Sequence, residues 1–495
     1  MHAQREGGLL DGIAESGSGL PWKRGLRWLK TSLWPQSAPV SDQPLKLRPT
    51  AYLDGLRGFA AFIVYWHHHE LWTHAAEAGG DNAVFENAFG WNGNFHFATF
   101  YGVRNFFSGG HIAVALFYVI SGYVLTLKPL SLIHAGELLK LGDNLASAFF
   151  RRWFRLYIPL IVTTFVTITI WHAFGIWNAA CEPKSTYREE VWEWYADFKN
   201  FSFLFKEGGK PWLDVNQHLW SIPLEMRGSM VVYIAALALS RATTNARLLC
   251  LVLLAFYFMY IADGYYGALF VAGMLQSDLD QLAKKYEDEF PRFLRRLEPY
   301  KTFIYYHLLV IAMFLSGVPT HDYDVEHLRQ NPGWYWLSYL KPQAVFDYKW
   351  FYLFWAANFI VAAVPRIPWL KRFFECRFCQ YLGRISFSLY LVHGPVLHMI
   401  GDRLYAAVGW ARPVGPETDK LGSWINIMPL PKTGPMGLEV AFLLPHIILL
   451  PLTLWVADVV TRAVDEPSVK IAQWMYKKIQ GGPPPPKPED AMRLA

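Results

Sequence analysis

Cysteine is scarce in this chain, and so are the signatures of soluble enzymes. The 495 residues include only four cysteines: Cys181, Cys250, Cys376 and Cys379. They are too few and too scattered for a disulfide framework, and no second pair completes a structural zinc site. The sequence also lacks a P-loop, a GxGxxG motif after a strand and a GxSxG elbow. Nothing therefore supports nucleotide hydrolysis or serine-hydrolase chemistry.

The N-terminus lacks the apolar core of a cleavable signal peptide. Residues 1–48 are rich in Gly, Ser, Pro, Lys and Arg and contain no long hydrophobic run. We therefore expect a basic, mostly disordered cytosolic arm, followed by a first hydrophobic segment that inserts uncleaved.

Hydrophobic and aromatic residues are abundant instead. They make up 53% and 17% of the chain, and the mean hydropathy is +0.15. These values are high for a soluble protein and indicate a membrane protein. The net charge of +6 is spread over the segments between apolar runs, which is typical of a topology signal and not of a nucleic-acid surface.

Apolar runs divide the chain into ten candidate membrane spans, of which the two shortest could form one re-entrant pair. The predicted fold is all-α, a polytopic transmembrane bundle of about ten helices over residues 49–467, followed by a cytosolic Pro-rich tail over 468–495. The spans are 52–72, 110–128, 156–176, 218–240, 247–262, 264–277, 302–317, 349–365, 382–401 and 436–460.

Lysine and arginine near the span ends predict the orientation. With both termini in the cytosol, the basic elbow at residues 149–159 and the cluster at 284–301 lie inside. The loops at 73–109 and 318–348, which contain few basic residues, lie outside. The protein is thus expected in the endoplasmic reticulum or another secretory membrane.

The first span contains ionisable residues that do not belong in lipid. Arg57 and His68 are eleven positions apart, so on a helix they share one face and lie roughly 16 Å from each other. That separation puts His68 near the middle of the bilayer, where an ionisable group is a functional candidate. The alternative is a histidine that is hydrogen-bonded within the core.

Two other spans place polar residues at helical spacing. His218, Ser221 and Glu225 share a face, and Glu225 needs a partner, for which His68 or Arg57 would serve. The alternative is an ion pair with another arginine that only holds helices together. In the ninth span Ser386, Tyr390 and His393 share a face, either for chemistry or as packing devices between helices.

The remaining polar signals are shorter. Ser121 and Gly122 in the second span allow two helices to approach closely. Arg151, Arg152 and Arg155 lie within five residues at the membrane face, which suits a phosphate-bearing ligand from the cytosol.

The run His67-His68-His69-Glu70 invites a metal interpretation. Adjacent histidines on a helix diverge by about 100°, however, and the histidine pair of a di-iron box is missing. We therefore predict no bound metal.

Five stretches, taken together, resemble the acyltransferase 3 family of integral-membrane O-acyltransferases, particularly its filamentous-fungal members. They occur in the family order and include Asp54 in the DGLRG start and the Arg-x10-His pair formed by Arg57 and His68. The stretches are Leu53–His68, Phe117–Tyr123, Phe150–Pro159, His218–Glu225 and Leu382–Pro395. One departure is Met226, where many bacterial members have a second acidic residue.

The resemblance implies transfer of an acyl group, usually acetyl, from acyl-CoA to a hydroxyl, with no bound cofactor. The match of His68 to the Arg-x10-His pair favours it as the general base; we expect Glu225 to orient or offset the imidazolium, and Arg57 to hold CoA phosphate or polarise the acyl oxygen. Arg151, Arg152 and Arg155 would grip the CoA phosphates. Ser121, Ser221 and Ser386 are candidate covalent carriers, although an activated thioester needs none.

Two other classes remain open from the residues alone. A transporter or flippase would use the buried Arg, His and Glu as a substrate or proton path, and would show inverted repeats with broken helices. A non-catalytic membrane scaffold would use the same residues for packing. The sequence does not identify the hydroxylated acceptor.

Overall fold

A computed structural model describes residues 47–77, 83–176, 183–205, 212–410 and 421–481. These residues form helices and no β-strand, which confirms the all-α class. The predicted arm at residues 1–46, Cys181 and the proline run at 483–486 lie outside the described residues.

Fourteen main helices carry the fold within these ranges. In chain order they are α1 (Ala51–Glu77), α2 (Gly110–His134), α3 (Leu138–Phe174), α4 (Tyr187–Phe201), α5 (Ser221–Ala238), α6 (Thr244–Tyr260), α7 (Tyr265–Lys285), α8 (Lys301–Leu315), α9 (Lys349–Ala363), α10 (Pro368–Phe374), α11 (Arg377–Val396), α12 (Asp402–Val408), α13 (His446–Val460) and α14 (Glu466–Ile479). Five helices of four to six residues lie between them: Ala83–Glu86, Arg104–Phe107, Arg292–Arg296, Val325–Gln330 and Val440–Leu443.

Among the described residues, three helical segments are long and apolar enough to cross a bilayer: Gly110–His134, Leu138–Phe174 and Val440–Ile479. The pair Lys349–Arg366 and Pro368–Phe374, bent by 99°, would be a fourth if it forms one broken span. These helices indicate a membrane protein, while the bundle of about ten helices stays a prediction.

The structure corrects two local interpretations of the sequence. Residues 149–159 form no elbow, because α3 runs through them and through Pro159 without a break. The segment 218–240 is not one continuous helix, because a 3₁₀ turn at Gln217–Trp220 precedes α5. Helix α14 lies mostly within residues 468–495, the segment that is predicted to be a cytosolic tail.

Glycines bring the central helices into backbone contact. A Cβ atom at Gly58 in α1 would lie 2.2 Å from the backbone nitrogen of Gly383 in α11. In the same way, a Cβ at Gly122 in α2 would lie 2.0 Å from the carbonyl oxygen of Phe270 in α7, as the Ser121-Gly122 pair predicts. The first contact fixes α1 against α11, the two helices that carry His68 and His393.

The loops around residues 83–107 and 318–348 pack against each other. The Arg104 guanidinium donates to the carbonyl oxygen of Asn87 at 2.9 Å, and the Ala88 amide donates to the Asn331 side chain at 2.8 Å. Burial lowers the pKa of Arg104 to about 10, so the group stays charged at neutral pH. Both loops therefore lie at one end of the protein.

Candidate active site

Three histidines from three separate elements meet next to the α1–α11 contact. His68 comes from α1, His218 from the turn before α5 and His393 from α11. One ring nitrogen from each lies within 4.8 Å of the others. The ring of His68 meets the His218 ring edge to face at 4.0 Å between centroids. We call these three side chains the histidine cluster.

Backbone hydrogen bonds settle which nitrogen carries the proton in two of these rings. Nδ1 of His68 lies 2.8 Å from the Val64 carbonyl oxygen, and Nδ1 of His393 lies 3.2 Å from that of Leu389. A carbonyl only accepts, so each Nδ1 is the donor and each neutral ring keeps its lone pair on Nε2. Nε2 of His393 is buried without a partner among the described residues.

The position of His218 depends on its neighbours in sequence and on a glycine in α11. The Asn216 side chain donates to the Leu391 carbonyl oxygen at 2.9 Å and so ties the turn to α11. A Cβ atom at Gly394 would lie 2.5 Å from Nδ1 of His218. Only glycine therefore leaves room for the His218 ring here, and neither Asn216 nor Gly394 was singled out from the sequence.

A cavity of about 180 Å³ lies beside the cluster. Tyr390, which lies one helical turn from His393, lines this cavity. The Tyr390 hydroxyl is hydrogen-bonded to the Ser221 hydroxyl at 2.7 Å and donates to the carbonyl oxygen of His218. The lining residues are Arg57, Phe117, Tyr118, Ser121, Arg152, Arg155, Leu156, Ser221, Ile222, Glu225, Arg384, Ser386, Phe387, Tyr390 and Asp465. The cavity thus contacts a group of arginines, and Tyr390 connects it to the histidine cluster, whose three rings do not line it.

Glu225 does not reach the histidine cluster. Its carboxylate accepts from the Arg152 guanidinium, with which it forms a largely buried ion pair, and from the Ser121 hydroxyl at 2.6 Å. Arg152 also donates to the Ser229 hydroxyl at 2.9 Å. The expected partners His68 and Arg57 are therefore replaced by Arg152, because α5 begins only at Ser221 and the helical face assumed from His218 to Glu225 is broken.

The three arginines of α3 have three different environments. Arg152 is neutralised by Glu225, whereas Arg155 is exposed to the cavity and has no hydrogen bond or ion pair to another described residue. Arg151 does not line this cavity; it lines a second one near α14 with Tyr476 and Lys477, and a third together with Arg152 and Arg155. Arg155 is thus the arginine of α3 that lines the cavity without a direct ion pair to a described residue, and Asp465 on the same cavity wall is the carboxylate that its charge interacts with.

Two further arginines join Arg155 at the cavity. Arg57 donates to the Gly383 carbonyl oxygen at 3.0 Å and lies 3.6 Å from Asp54, while its Nε is buried without a partner among the described residues. Arg384 pairs with Asp458. The sequence pattern missed Arg384, although it lies two residues before Ser386 in a motif that was singled out.

The serines have ordinary hydrogen-bond partners. Ser386 donates to the Gly383 carbonyl oxygen at 3.0 Å, and Ser121 and Ser221 are bonded to Glu225 and Tyr390 as described. The face predicted for Ser386, Tyr390 and His393 is present, because α11 is unbroken across them.

The remaining histidines of the His67–His69 run face elsewhere. The ring of His67 lies 5.7 Å from that of His111, and Nδ1 of His69 lies 2.7 Å from the Tyr405 hydroxyl. The only described group of three residues able to hold a metal is the histidine cluster itself, whose members are distant in sequence. The absence of a bound metal stays a prediction.

Comparison with known proteins identifies the family of this chain. A profile of the acyltransferase 3 family, described as an acyltransferase domain, matches residues 50–462, so the chain belongs to that family of membrane O-acyltransferases. It is 28% identical to O-acetyltransferase PaAT-1 of Phomopsis amygdali, over 90% of this chain and 88% of the relative.

Two other fungal proteins are similar. Acyltransferase clz18 of Cochliobolus lunatus is 24% identical, over 74% of this chain and 80% of the relative. Acyltransferase R4 of a Phoma species is 25% identical, over 76% of this chain and 88% of the relative. No solved structure gives a significant match.

Proposed function

We propose that this protein transfers an acyl group, with acetyl as the first candidate, from acyl-CoA to a hydroxyl of a small molecule or glycan. The observation that carries the proposal is the position of His68. Its ring, with the lone pair on Nε2, belongs to a partly buried histidine cluster that Tyr390 connects to a cavity lined by arginines.

The arginines supply the donor site. Guanidinium groups bind phosphate through charge-assisted, bidentate hydrogen bonds. Arg155 is the principal phosphate ligand, supported by Arg57 and Arg384, while Arg152 is occupied by Glu225. His68 lies eleven positions from Arg57 on α1, roughly 16 Å away. The flexible arm of a CoA thioester spans such a gap and carries the acyl carbon to the cluster.

His68 supplies the base. Its Nε2 takes the proton from the acceptor hydroxyl as the oxygen attacks the thioester carbon, a contribution of about 10²–10⁴-fold to the rate. The new C–O bond forms, the C–S bond breaks, and the imidazolium returns the proton to the departing sulfur. The products are the ester and free CoA, and His68 is neutral again.

Glu225 has a different role from the one expected from sequence. Because Arg152 and Ser121 occupy its carboxylate, it holds α3, α5 and α2 together at the cavity wall. It therefore does not offset the charge on His68.

The test is acyl transfer by the purified protein in detergent. Acetyl-CoA is offered with cyclohexanol, a monoterpenoid alcohol, a sterol and a methyl glycoside, and both CoA release and acetylated product are measured. We expect release that depends on the acceptor. No release with any acceptor, together with no binding of acetyl-CoA, would contradict the proposal and favour a transporter.

A further inference from the structure

The reaction above uses one imidazole of the histidine cluster, yet the structure brings three together. His393 is almost fully buried, and no ion pair reaches His68, His218 or His393 from the other described residues. The Nε2 lone pairs of His68 and His393 repel each other unless a group with a hydrogen to donate lies between them. The cluster therefore needs an occupant.

Two kinds of occupant suit three nitrogens at this separation. Nitrogens bound to one tetrahedral zinc ion at about 2.0–2.1 Å lie roughly 3.3–3.4 Å apart. Nitrogens that hydrogen-bond one tetrahedral oxygen at about 2.8 Å lie roughly 4.6 Å apart. The three nitrogens lie within 4.8 Å of one another, a separation that admits both, so the metal is an alternative for the experiment to exclude.

The hydrogen bonds around the rings agree with an oxygen that also carries a proton. The Nδ1 protons of His68 and His393 are used by Val64 and Leu389, so both rings present an Nε2 lone pair. A hydroxyl has one hydrogen to donate to such a lone pair, and its oxygen accepts from a ring N–H. His218, whose buried Nδ1 has no partner among the described residues, is the ring free to provide that N–H.

We propose that the histidine cluster is the binding site of the acceptor hydroxyl, with His218 and His393 as further catalytic residues. The proposal rests on the function proposed above and adds the acceptor subsite to it. The hydroxyl donates its hydrogen to Nε2 of His68, and His218 donates to the oxygen. His393 makes no hydrogen bond to this oxygen, because its Nε2 has no hydrogen to donate; its lone pair instead stabilises the positive charge that His68 gains.

Asparagine substitutions separate this role from packing. An asparagine amide reproduces the Nδ1–H donor of histidine but not Nε2, so His393→Asn retains the bond to Leu389 and removes the atom that faces the cluster. His393→Gln retains a polar atom near the position of Nε2. His218→Asn and His218→Gln form a second pair, and His69→Asn, one position from His68 and bonded to Tyr405, is the matched control.

The experiment measures kcat and KM of each variant with acetyl-CoA and the most active alcohol of the panel. We expect His393→Asn and His218→Asn to raise the acceptor KM and lower kcat, each at least tenfold. In both asparagine variants the KM for acetyl-CoA and the thermal midpoint stay near their wild-type values. The glutamine variants recover part of the lost activity. His69→Asn changes kcat and the acceptor KM little.

Each other outcome has a definite meaning. Wild-type transfer with an unchanged acceptor KM in both asparagine variants would overturn this proposal alone, whereas no transfer by the wild type would overturn the proposed function with it. One equivalent of zinc by elemental analysis of the wild type, lost in the His68, His218 and His393 variants, would replace the hydroxyl site by a metal site.

Discussion

At the residue scale, Glu225 and Arg152 form an ion pair that is largely removed from water. Their side chains are 14% and 9% exposed. Removing one member leaves the other charge buried without compensation, which typically costs about 3–5 kcal/mol. We predict that Glu225→Ala lowers the free energy of unfolding by about that amount, measured by denaturation in detergent.

The double variant Arg152→Met/Glu225→Leu is the control, because it replaces both charges by apolar groups. We expect it to be more stable than Glu225→Ala. If Glu225→Ala were as stable as the wild type, the ion pair between Arg152 and Glu225 would not be present in the folded protein.

Arg155 makes a separate prediction about the donor. A hydrogen bond to a charged group contributes about 1.5–3 kcal/mol, so Arg155→Ala should raise the KM for acetyl-CoA roughly 10- to 100-fold. S-acetylpantetheine lacks the CoA phosphates, and its KM should not change. Arg329→Ala, in the loop that packs around Arg104, is the control. If Arg155→Ala raised the KM for acetyl-CoA and for S-acetylpantetheine equally, a phosphate-binding role for Arg155 would be contradicted.

The site residues differ in how far the sequence could predict them. Helical periodicity grouped Ser386, Tyr390 and His393 correctly, because α11 is regular there. Helical periodicity failed for His218 and Glu225, because α5 starts between them. His218 belongs to the preceding 3₁₀ turn, whose different backbone geometry changes the direction of its side chain relative to those of α5. The meeting of His68 with His218 and His393 depends on tertiary contacts that no spacing within one segment encodes.

At the element scale, the contact between α1 and α11 positions the chemistry. Neither Gly58 nor Gly383 has room for a methyl group, since the Cβ would meet backbone of the other helix. Overpacking of this kind costs about 1–3 kcal/mol, or more where backbone must move. We predict that Gly58→Ala and Gly383→Ala lower both the thermal midpoint and the acyl-transfer rate, because they push His68 away from His393.

Gly142→Ala in α3 is the matched control. Among the described residues, no atom outside its own helix lies within 4 Å of the position that the new methyl group would take. The change should therefore be neutral or stabilise by about 0.5–1 kcal/mol. A loss of stability at Gly142 equal to that at Gly58 would show that the interhelical contact does not decide the result.

Helix boundaries were harder to predict than helix positions. The sequence predicted a basic elbow at residues 149–159 that leads into a span at 156–176, yet one helix, α3, runs for 37 residues through both. Arg152 and Arg155 therefore lie on the same helix as the apolar segment, and the proposed phosphate ligand Arg155 is held at the cavity by that helix.

At the scale of the whole molecule, α1 explains why hydropathy alone does not establish the bundle. Among the described helices, α1 is not one of the three that are clearly long and apolar enough to span. Its polar residues His67, His69 and Glu70 are at most 3% exposed, so they face protein and not lipid. Helix α1, which carries the proposed base, is thus less apolar than the three candidate spans because its ionisable residues are buried within the protein.

The orientation gives a prediction for a secretory membrane. We propose that the loop around Asn94 lies outside and the start of α3 inside. His96→Thr creates a glycosylation acceptor at Asn94, and Ala146→Thr creates one at Asn144. The wild type already has a sequon at Asn200, so each variant is compared with the wild type. We expect an additional glycan only in His96→Thr. It would appear on a gel as a mobility shift that treatment with a glycosidase removes. A glycan at Asn144 alone would reverse the topology.

The most direct test of the account is the rate of acyl transfer by His68→Asn compared with His69→Asn. Both substitutions retain an Nδ1-like donor, and only the first removes Nε2 from the histidine cluster. With thermal midpoints near wild type, we predict that His68→Asn loses at least about 10²-fold in kcat while His69→Asn stays within a few fold. Equal rates for the two variants would contradict the assignment of His68 as the base.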